Sequence, residues 1–349
     1  MANNIDYSKR SFNYYPTNAI VFSKCIDGKW TEPEVTDNFN LSLHCFAGIF
    51  HYAPSCFEGL KAFEGVDGKV RLFRPDENAK RMISSAQYLD MPAPTVEMFI
   101  DLCVRCVQAN WDHIPPYECG ASLYLRPVLF GINPQLGIKS ANDVMFAVMA
   151  SGVGTYSGAR ILTPGTAVLS RNYDRAATFG SGGYKLGANY AQSLHAYNIA
   201  HGLGYRELLF LDSATHTHIE EFGSSNFFAI KDNTYITPDS RSVLPSITNK
   251  SLRTVAEEFG LKVERRKIFV EELAGFEEVN SCGTAVVITP ICQIDDKLTL
   301  EGDQILRSYK FGDPEHCGPI SEKLYHRIVG IQKGLEEDTY GWCMFVDRK

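Results

Sequence analysis

The run Gly180-Ser181-Gly182-Gly183-Tyr184-Lys185 places a lysine behind three glycines and ahead of the small residues Gly187 and Ala188. It looks like a phosphate loop but fits neither common fingerprint. A P-loop needs Ser or Thr after the lysine, and Leu186 stands there. A dinucleotide loop needs a third glycine where Lys185 stands. Neither ATP nor NAD is supported. Glycines let a bulky planar ligand approach the backbone. A lysine in such a pocket can lose its charge by desolvation and become a nucleophilic amine, which is what a Schiff base requires.

Three further features suit the same chemistry. In Leu244-Pro245-Ser246-Ile247-Thr248 a turn runs into a helix, and free amides at a helix N-terminus bind phosphate. Glu221, in Glu220-Glu221-Phe222-Gly223-Ser224-Ser225-Asn226, precedes a turn and a strand, a suitable place for a fixed carboxylate. Tyr190 follows Lys185 near the start of the same helix. Lysine, anion cradle, carboxylate and phenol are the groups that pyridoxal phosphate asks for. The carboxylate keeps the pyridine nitrogen protonated, so that the ring accepts electrons.

Here a resemblance becomes specific. Tyr184-Lys185-Leu186-Gly187-Ala188-Asn189-Tyr190 is similar to the active-site segment of the branched-chain amino acid aminotransferases, within the fold type IV enzymes dependent on pyridoxal phosphate. SCFEGLKAF (Ser55–Phe63), LFRPDENAKRM (Leu72–Met82), SLYLRPVLFG (Ser122–Gly131), EEFGSSNFF (Glu220–Phe228), SVLPSITNKSL (Ser242–Leu252) and CGTAVVITPI (Cys282–Ile291) agree in the same order. The similarity runs from about Asn18 to Phe345.

The resemblance implies an α/β, mixed α+β, two-domain fold type IV architecture. It implies that Lys185 carries pyridoxal 5'-phosphate and moves a proton between substrate Cα and cofactor C4′. Glu221 would pair with the pyridine nitrogen and Tyr190 with the phenolic oxygen. Arg81, in the Asn78-x-x-Arg81 helix turn, would hold the phosphate with the Ile247 and Thr248 amides and the Thr284 hydroxyl. Tyr52 and Phe57 would form an aromatic wall. Tyr124 with the Thr284 and Ala285 amides would take the α-carboxylate, and Arg126 the distal carboxylate of glutamate. Tyr124 and Arg126 are two apart, so on a strand both face one way. Tyr156 would help close the pocket. The substrates implied are leucine, isoleucine or valine with 2-oxoglutarate, and the assembly a homodimer or a set of dimers. Members in mammals carry a redox CxxC just after Gly-Thr-Ala; here Val286-Val287-Ile288-Thr289 stands there, and Cys282 replaces a common serine. The rivals on the same fold are a D-amino acid aminotransferase and an aminodeoxychorismate lyase. Tyr124-x-Arg126, the long N-terminal part and SCFEGLKAF favour the branched-chain type.

The elements that must position these residues follow from the pattern. Strands are expected at Asn18–Phe22, Val70–Phe73, Ser122–Gly131 and Val144–Ala150, with helices after Pro75 and over Val96–Trp111. Gly152, Gly154, Gly158, Pro164 and Gly165 mark an interdomain loop over 152–165. The expected domains are 1–151, smaller, and 166–349, larger and carrying the lysine. The second holds strands at Ala167–Ser170, Glu207–Asp212 and Val286–Thr289, a hairpin at Asn226–Ile236, and helices at Ala188–His201, Thr248–Phe259 and Ile320–Leu335.

Composition removes other functions. The chain has 349 residues, 44% hydrophobic and 21% charged, with net charge −7, which argues against a nucleic-acid footprint. The basic stretch Lys262, Arg265, Arg266, Lys267 reads as the solvated face of a strand. No apolar run of about 18 residues suggests a membrane helix, and the N-terminus lacks a signal-peptide core. Ten cysteines without such a signal fit reduced thiols in the cytoplasm. Cys103 and Cys106 have a helical rhythm and no second CxxC, so core packing is expected rather than a metal site. His216 and His218 lack a third ligand and read as a polar loop.

Overall fold

The computed structural model describes residues 5–154 and 162–349. Tyr156 and half of the expected interdomain loop, 155–161, lie outside these. Pro75 opens the helix Pro75–Tyr88, with Asp76 and Glu77 in its first turn, where carboxylates suit the positive end. Thr95 caps Val96–Ala109 by accepting the Met98 N–H, and the chain then tightens into a 3₁₀ turn at Trp111–His113. Met82 and Ala86 on one helix and Phe99, Leu102, Cys103 and Cys106 on the other share a core with Leu72, Leu123 and Phe146. The two thiols are therefore packing groups, and burial pushes Cys106 up to about 12.

That core lies on a nine-stranded sheet ordered Cys343–Val346, Val70–Phe73, Leu60–Glu64, Ser122–Gly131, Val144–Val153, Ile20–Ile26, Lys29–Trp30. Glu34–Thr36 and Ser55–Phe57 pair at its sides. The long hairpin of Ser122–Gly131 with Val144–Val153 sets Tyr124 opposite Ser151 and Arg126 opposite Met149.

The second sheet, also of nine strands, contains a closed ring. Ile219–Phe222, Glu207–Leu211, Gly165–Leu169, Val287–Lys297, Glu278–Gly283 and Asn226–Lys231 pair in that order, and Glu221 pairs with Asn226 to close it. Thr234–Pro238 and Lys262–Arg266 extend it beyond Asn226–Lys231. Phe222, Phe227 and Ile294 fill one core of this unit. The helices Gly187–Gly202, Ile247–Glu258 and Pro319–Lys333 complete the expected pattern.

Contacts divide the chain into two units: Met1–Ala159 with Tyr184–Ala188 and Gly330–Lys349, and Arg160–Gly183 with Asn189–Val329. The short piece holding Lys185 groups with the first unit for a visible reason. The Phe57 N–H donates to the Lys185 carbonyl at 3.1 Å, and Cys56 forms a β-bridge with Leu186. The Lys185 N–H in turn donates to Ser85 Oγ at 3.0 Å.

Candidate active site

In the first unit, Lys185, Phe57, Tyr124 and Arg126 come together. Lys185 Nζ lies 4.9 Å from the centre of the Phe57 ring, and the Arg126 guanidinium carbon also 4.9 Å from it. Arg126 Nη2 donates to the Tyr124 hydroxyl at 3.4 Å, while Arg126 Nε is buried without a partner among the described residues. A side chain on Gly59 would collide with the Tyr124 hydroxyl, so the glycine of SCFEGLKAF makes room for that phenol. Phe12 packs edge-on against Tyr124 at 4.7 Å between ring centres. Nothing in the sequence pattern around Phe12 had marked it.

Arg81 is anchored by Glu58, which is fully buried. Nε donates to Oε1 and Nη2 to Oε2, each at 2.7 Å, and Asn78 Nδ2 adds a bond to Oε2 at 2.8 Å. A bidentate pair of this kind fixes the plane of the guanidinium. Glu58 was legible only as one of two charges, with Lys61, inside a largely apolar block. Tyr52 is 46% exposed and donates to the Leu136 carbonyl at 2.6 Å. Phe46, Phe50, Leu136 and Ile138 are also exposed.

The second unit holds Tyr190, Glu221, Ile247, Thr248, Thr284 and Ala285. Glu221 is 4% exposed at the seam of the ring. Arg175 Nη2 lies 3.0 Å from Oε1, the Leu244 N–H donates to Oε1 at 3.3 Å, and Asn226 Nδ2 donates to Oε2 at 2.6 Å. Burial pushes the Glu221 carboxyl up, and these three donors act against it. A buried carboxylate so supported is suited to face a cation. Arg175, absent from the sequence-based site, also donates to the carbonyls of Gly182 and Ser242. A side chain on Gly182 would meet the Ser242 carbonyl, and one on Gly183 would lie 2.6 Å from the Arg241 carbonyl. Those two glycines therefore admit the neighbouring chain; the sequence had suggested close approach by a ligand. Glu220, on the opposite face of the strand, accepts from Ser240 Oγ at 2.9 Å and from Ser242 Oγ.

A phosphate finds a matching donor set here. Ser246 caps the helix Ile247–Glu258 by accepting the Asn249 N–H at 3.2 Å, which leaves the Ile247 and Thr248 amides without intrahelical acceptors. Ser225 Oγ is buried with no partner among the described residues, and its Cβ lies 3.6 Å from where a Gly283 side chain would begin. Thr284 and Ala285 follow Gly283 in the turn before Val287–Lys297. Orphan amides, an orphan hydroxyl and a supported carboxylate fit pyridoxal phosphate. Tyr190 is half-buried in the first turns of Gly187–Gly202. His216 and His218 hydrogen-bond to Asp174 and Asp212 at 2.8 and 3.3 Å, as members of a polar loop. Among the described residues no cluster of His, Cys, Asp and Glu could hold a metal ion.

The sequence model of amino-transferase class IV matches residues 55–294. A branched-chain-amino-acid aminotransferase of Helicobacter pylori is 41% identical over 345 residues, covering 98% of this chain and 98% of that protein. The crystal structure of the Escherichia coli branched-chain amino acid aminotransferase superposes with TM-score 0.76 at 26% identity, over 94% of this chain and 99% of that one. The branched-chain amino acid aminotransferase of Thermobaculum terrenum, solved in its PLP-form, gives TM-score 0.74 at 22% identity over 95% and 99%. With a class IV model spanning both units and a full-length relative at 41% identity, the chain belongs to the branched-chain type of the class IV aminotransferases, which use pyridoxal phosphate.

Proposed function

We propose that the chain transfers the amino group between L-leucine, L-isoleucine or L-valine and 2-oxoglutarate, giving branched-chain 2-oxo acids and L-glutamate. The observation that carries this reading is Phe57, whose ring stands against both Lys185 Nζ and the Arg126 guanidinium. An apolar surface beside the reactive amine suits an aliphatic side chain. A cation at the same ring suits a second carboxylate. Arg126 Nε, buried and unpaired among the described residues, is a donor in want of an acceptor.

Bound pyridoxal phosphate supplies the electron sink for charge that develops at substrate Cα. Lys185 would hold the cofactor and, once freed by the substrate's amine, would serve as the general base and acid for the proton at substrate Cα. Glu221 keeps the proton on the pyridine nitrogen, and Tyr190 donates to the phenolic oxygen. Arg81 (steadied by Glu58), the amides of Ile247 and Thr248 and the Thr284 hydroxyl hold the phosphate. Tyr124 with the Thr284 and Ala285 amides takes the α-carboxylate, while Arg126 takes glutamate's distal carboxylate. Tyr52 belongs to the substrate pocket in the same reading.

We further propose a homodimer or an assembly of dimers working in the cytoplasm. Phe50 at 62%, Leu136 at 75% and Ile138 at 90% exposure are large apolar side chains left to solvent in the single chain, which supports an assembly of copies. Among the described residues no helix is long and apolar enough to cross a membrane.

Purified protein should form glutamate from leucine and 2-oxoglutarate with an absorbance band near the cofactor's visible range. Pyruvate release from an aminodeoxychorismate substrate, or preference for D-amino acids, would overturn the assignment.

A further inference from the structure

We infer that Asn249 and Thr237 are positioning residues for Glu221, acting through Asn226. The inference builds on the reading of Glu221 as partner of the cofactor's nitrogen. The four side chains and Tyr235 form one buried polar chain, with Glu221 at 4% exposure, Asn226 and Asn249 at 5%, Thr237 at 3% and Tyr235 at 0%.

Its direction is imposed by groups that can act in one way only. The Phe227 carbonyl can only accept, so the Thr237 hydroxyl donates to it, at 2.7 Å. Thr237 Oγ1 is then an acceptor, and Asn249 Nδ2 donates to it at 2.8 Å. This turns Asn249 Oδ1 toward the Tyr235 hydroxyl, which donates at 3.3 Å. Asn249 Nδ2 also donates to Asn226 Oδ1 at 3.2 Å. Asn226 must therefore present its Nδ2 to Glu221 Oε2 at 2.6 Å, and the same nitrogen reaches the Leu244 carbonyl at 3.1 Å. Two backbone carbonyls, of Phe227 and Leu244, terminate the chain and agree on its direction.

The consequence is that Glu221 meets a donor. An Asn226 turned the other way would set an amide oxygen against the carboxylate and favour its protonated form. Asn249 sits in the first turn of the helix whose Ile247 and Thr248 amides are assigned to the phosphate. That one turn thus serves the phosphate by its backbone and the carboxylate by a side chain. The other charged or titratable groups that act on Glu221 are Arg175, Cys282 and, from the opposite face of the strand, Glu220.

The test is an infrared titration of the carboxyl band of Glu221 in the full chain, with and without pyridoxal phosphate, the band being identified by its loss in Glu221→Gln. Asn249→Leu should raise the midpoint by about one pH unit, roughly tenfold in proton affinity. In an Asn226→Ala background it should add nothing, since the effect passes through Asn226. Thr237→Val should raise the midpoint, while Thr237→Ser, which keeps the hydroxyl, should leave it in place. Should Asn249→Leu fail to fold, the Thr237 pair carries the test. An unchanged midpoint in Asn249→Leu, equal shifts in both backgrounds, or equal behaviour of the Val and Ser variants would overturn the inference. The cofactor-free titration reads the relay alone, so a chain with this coupling that bound no pyridoxal phosphate would count against the role of Glu221 and not against the relay.

Discussion

Lys185 and Arg126 share one ring: Nζ of the first and the guanidinium carbon of the second each stand 4.9 Å from the centre of Phe57. The amine proposed to react and the cation proposed to choose between substrates thus meet a ring whose strand, Ser55–Phe57, pairs with Ser122–Gly131.

Lys185→Ala is expected to reduce transamination to background. Borohydride reduction of the holoenzyme followed by peptide mapping should put the pyridoxyl group on Lys185. A label on any other lysine sinks the assignment.

Arg126→Leu should damage the glutamate half-reaction far more than the leucine half-reaction. Glutamate would bury a carboxylate without its partner, a loss of about 2–5 kcal/mol. Leucine offers no charge there. Pre-steady-state loss of the cofactor's visible band with each amino acid alone separates the two. Equal losses would mean that Arg126 serves the shared α-carboxylate or only the fold.

Glu221→Gln should keep the cofactor bound and slow proton transfer by on the order of 10²–10³, because a neutral amide cannot hold the nitrogen protonated. Near-normal single-turnover rates would move the role elsewhere. Glu220 is a poor substitute, since it is committed to Ser240 and Ser242 on the other face of the strand.

Glu207 gives a pH dependence. It is 6% exposed, and Ser224 Oγ donates to Oε1 at 3.3 Å. Burial raises its carboxyl from 4.5 to about 7, against the opposing pull of Ser224 and Arg206. The folded state therefore binds this proton more tightly than the unfolded chain. Its contribution favours folding below about 4.5 and is lost as pH rises to about 7, by about 3 kcal/mol at most. Glu207→Gln should flatten the fall in unfolding free energy between about pH 4.5 and about pH 7. The same slope in both proteins would show that Glu207 ionises normally.

Much of the frame was legible. Val70–Phe73 and Ser122–Gly131 coincide with their expected bounds, because apolar residues there lie between clear turns. Val286–Thr289 was too short: the strand runs Val287–Lys297 because Asp296 is clamped by Arg171 at 2.6 and 2.7 Å and Asp295 by Tyr205 at 2.8 Å. Such charges look like a strand end until their partners, distant in sequence, are known. Ile219–Phe222 escaped notice for a related reason. Two adjacent glutamates suggest at least one wet face, whereas ring closure buries both. Lys185 and Glu221 stood out through their turns. Arg175 and Asn249 did not, since their importance lies in which buried group each one meets.

The ring that carries Glu221 is closed by unequal joints. Ile219–Phe222 and Asn226–Lys231 are joined by a short turn, so the Glu221–Asn226 pair belongs to a local hairpin with little loop entropy to overcome. Gly165–Leu169 meets Val287–Lys297 in parallel, from segments far apart in the chain. The hairpin joint rests on the single pair Glu221–Asn226 and the parallel joint on five, so transient opening should begin at the hairpin joint and amide exchange at Glu221 and Asn226 should outpace exchange in Gly165–Leu169. The carboxylate thus sits at the joint where closure of the ring rests on the fewest backbone pairs, and its short turn lets that joint re-form quickly.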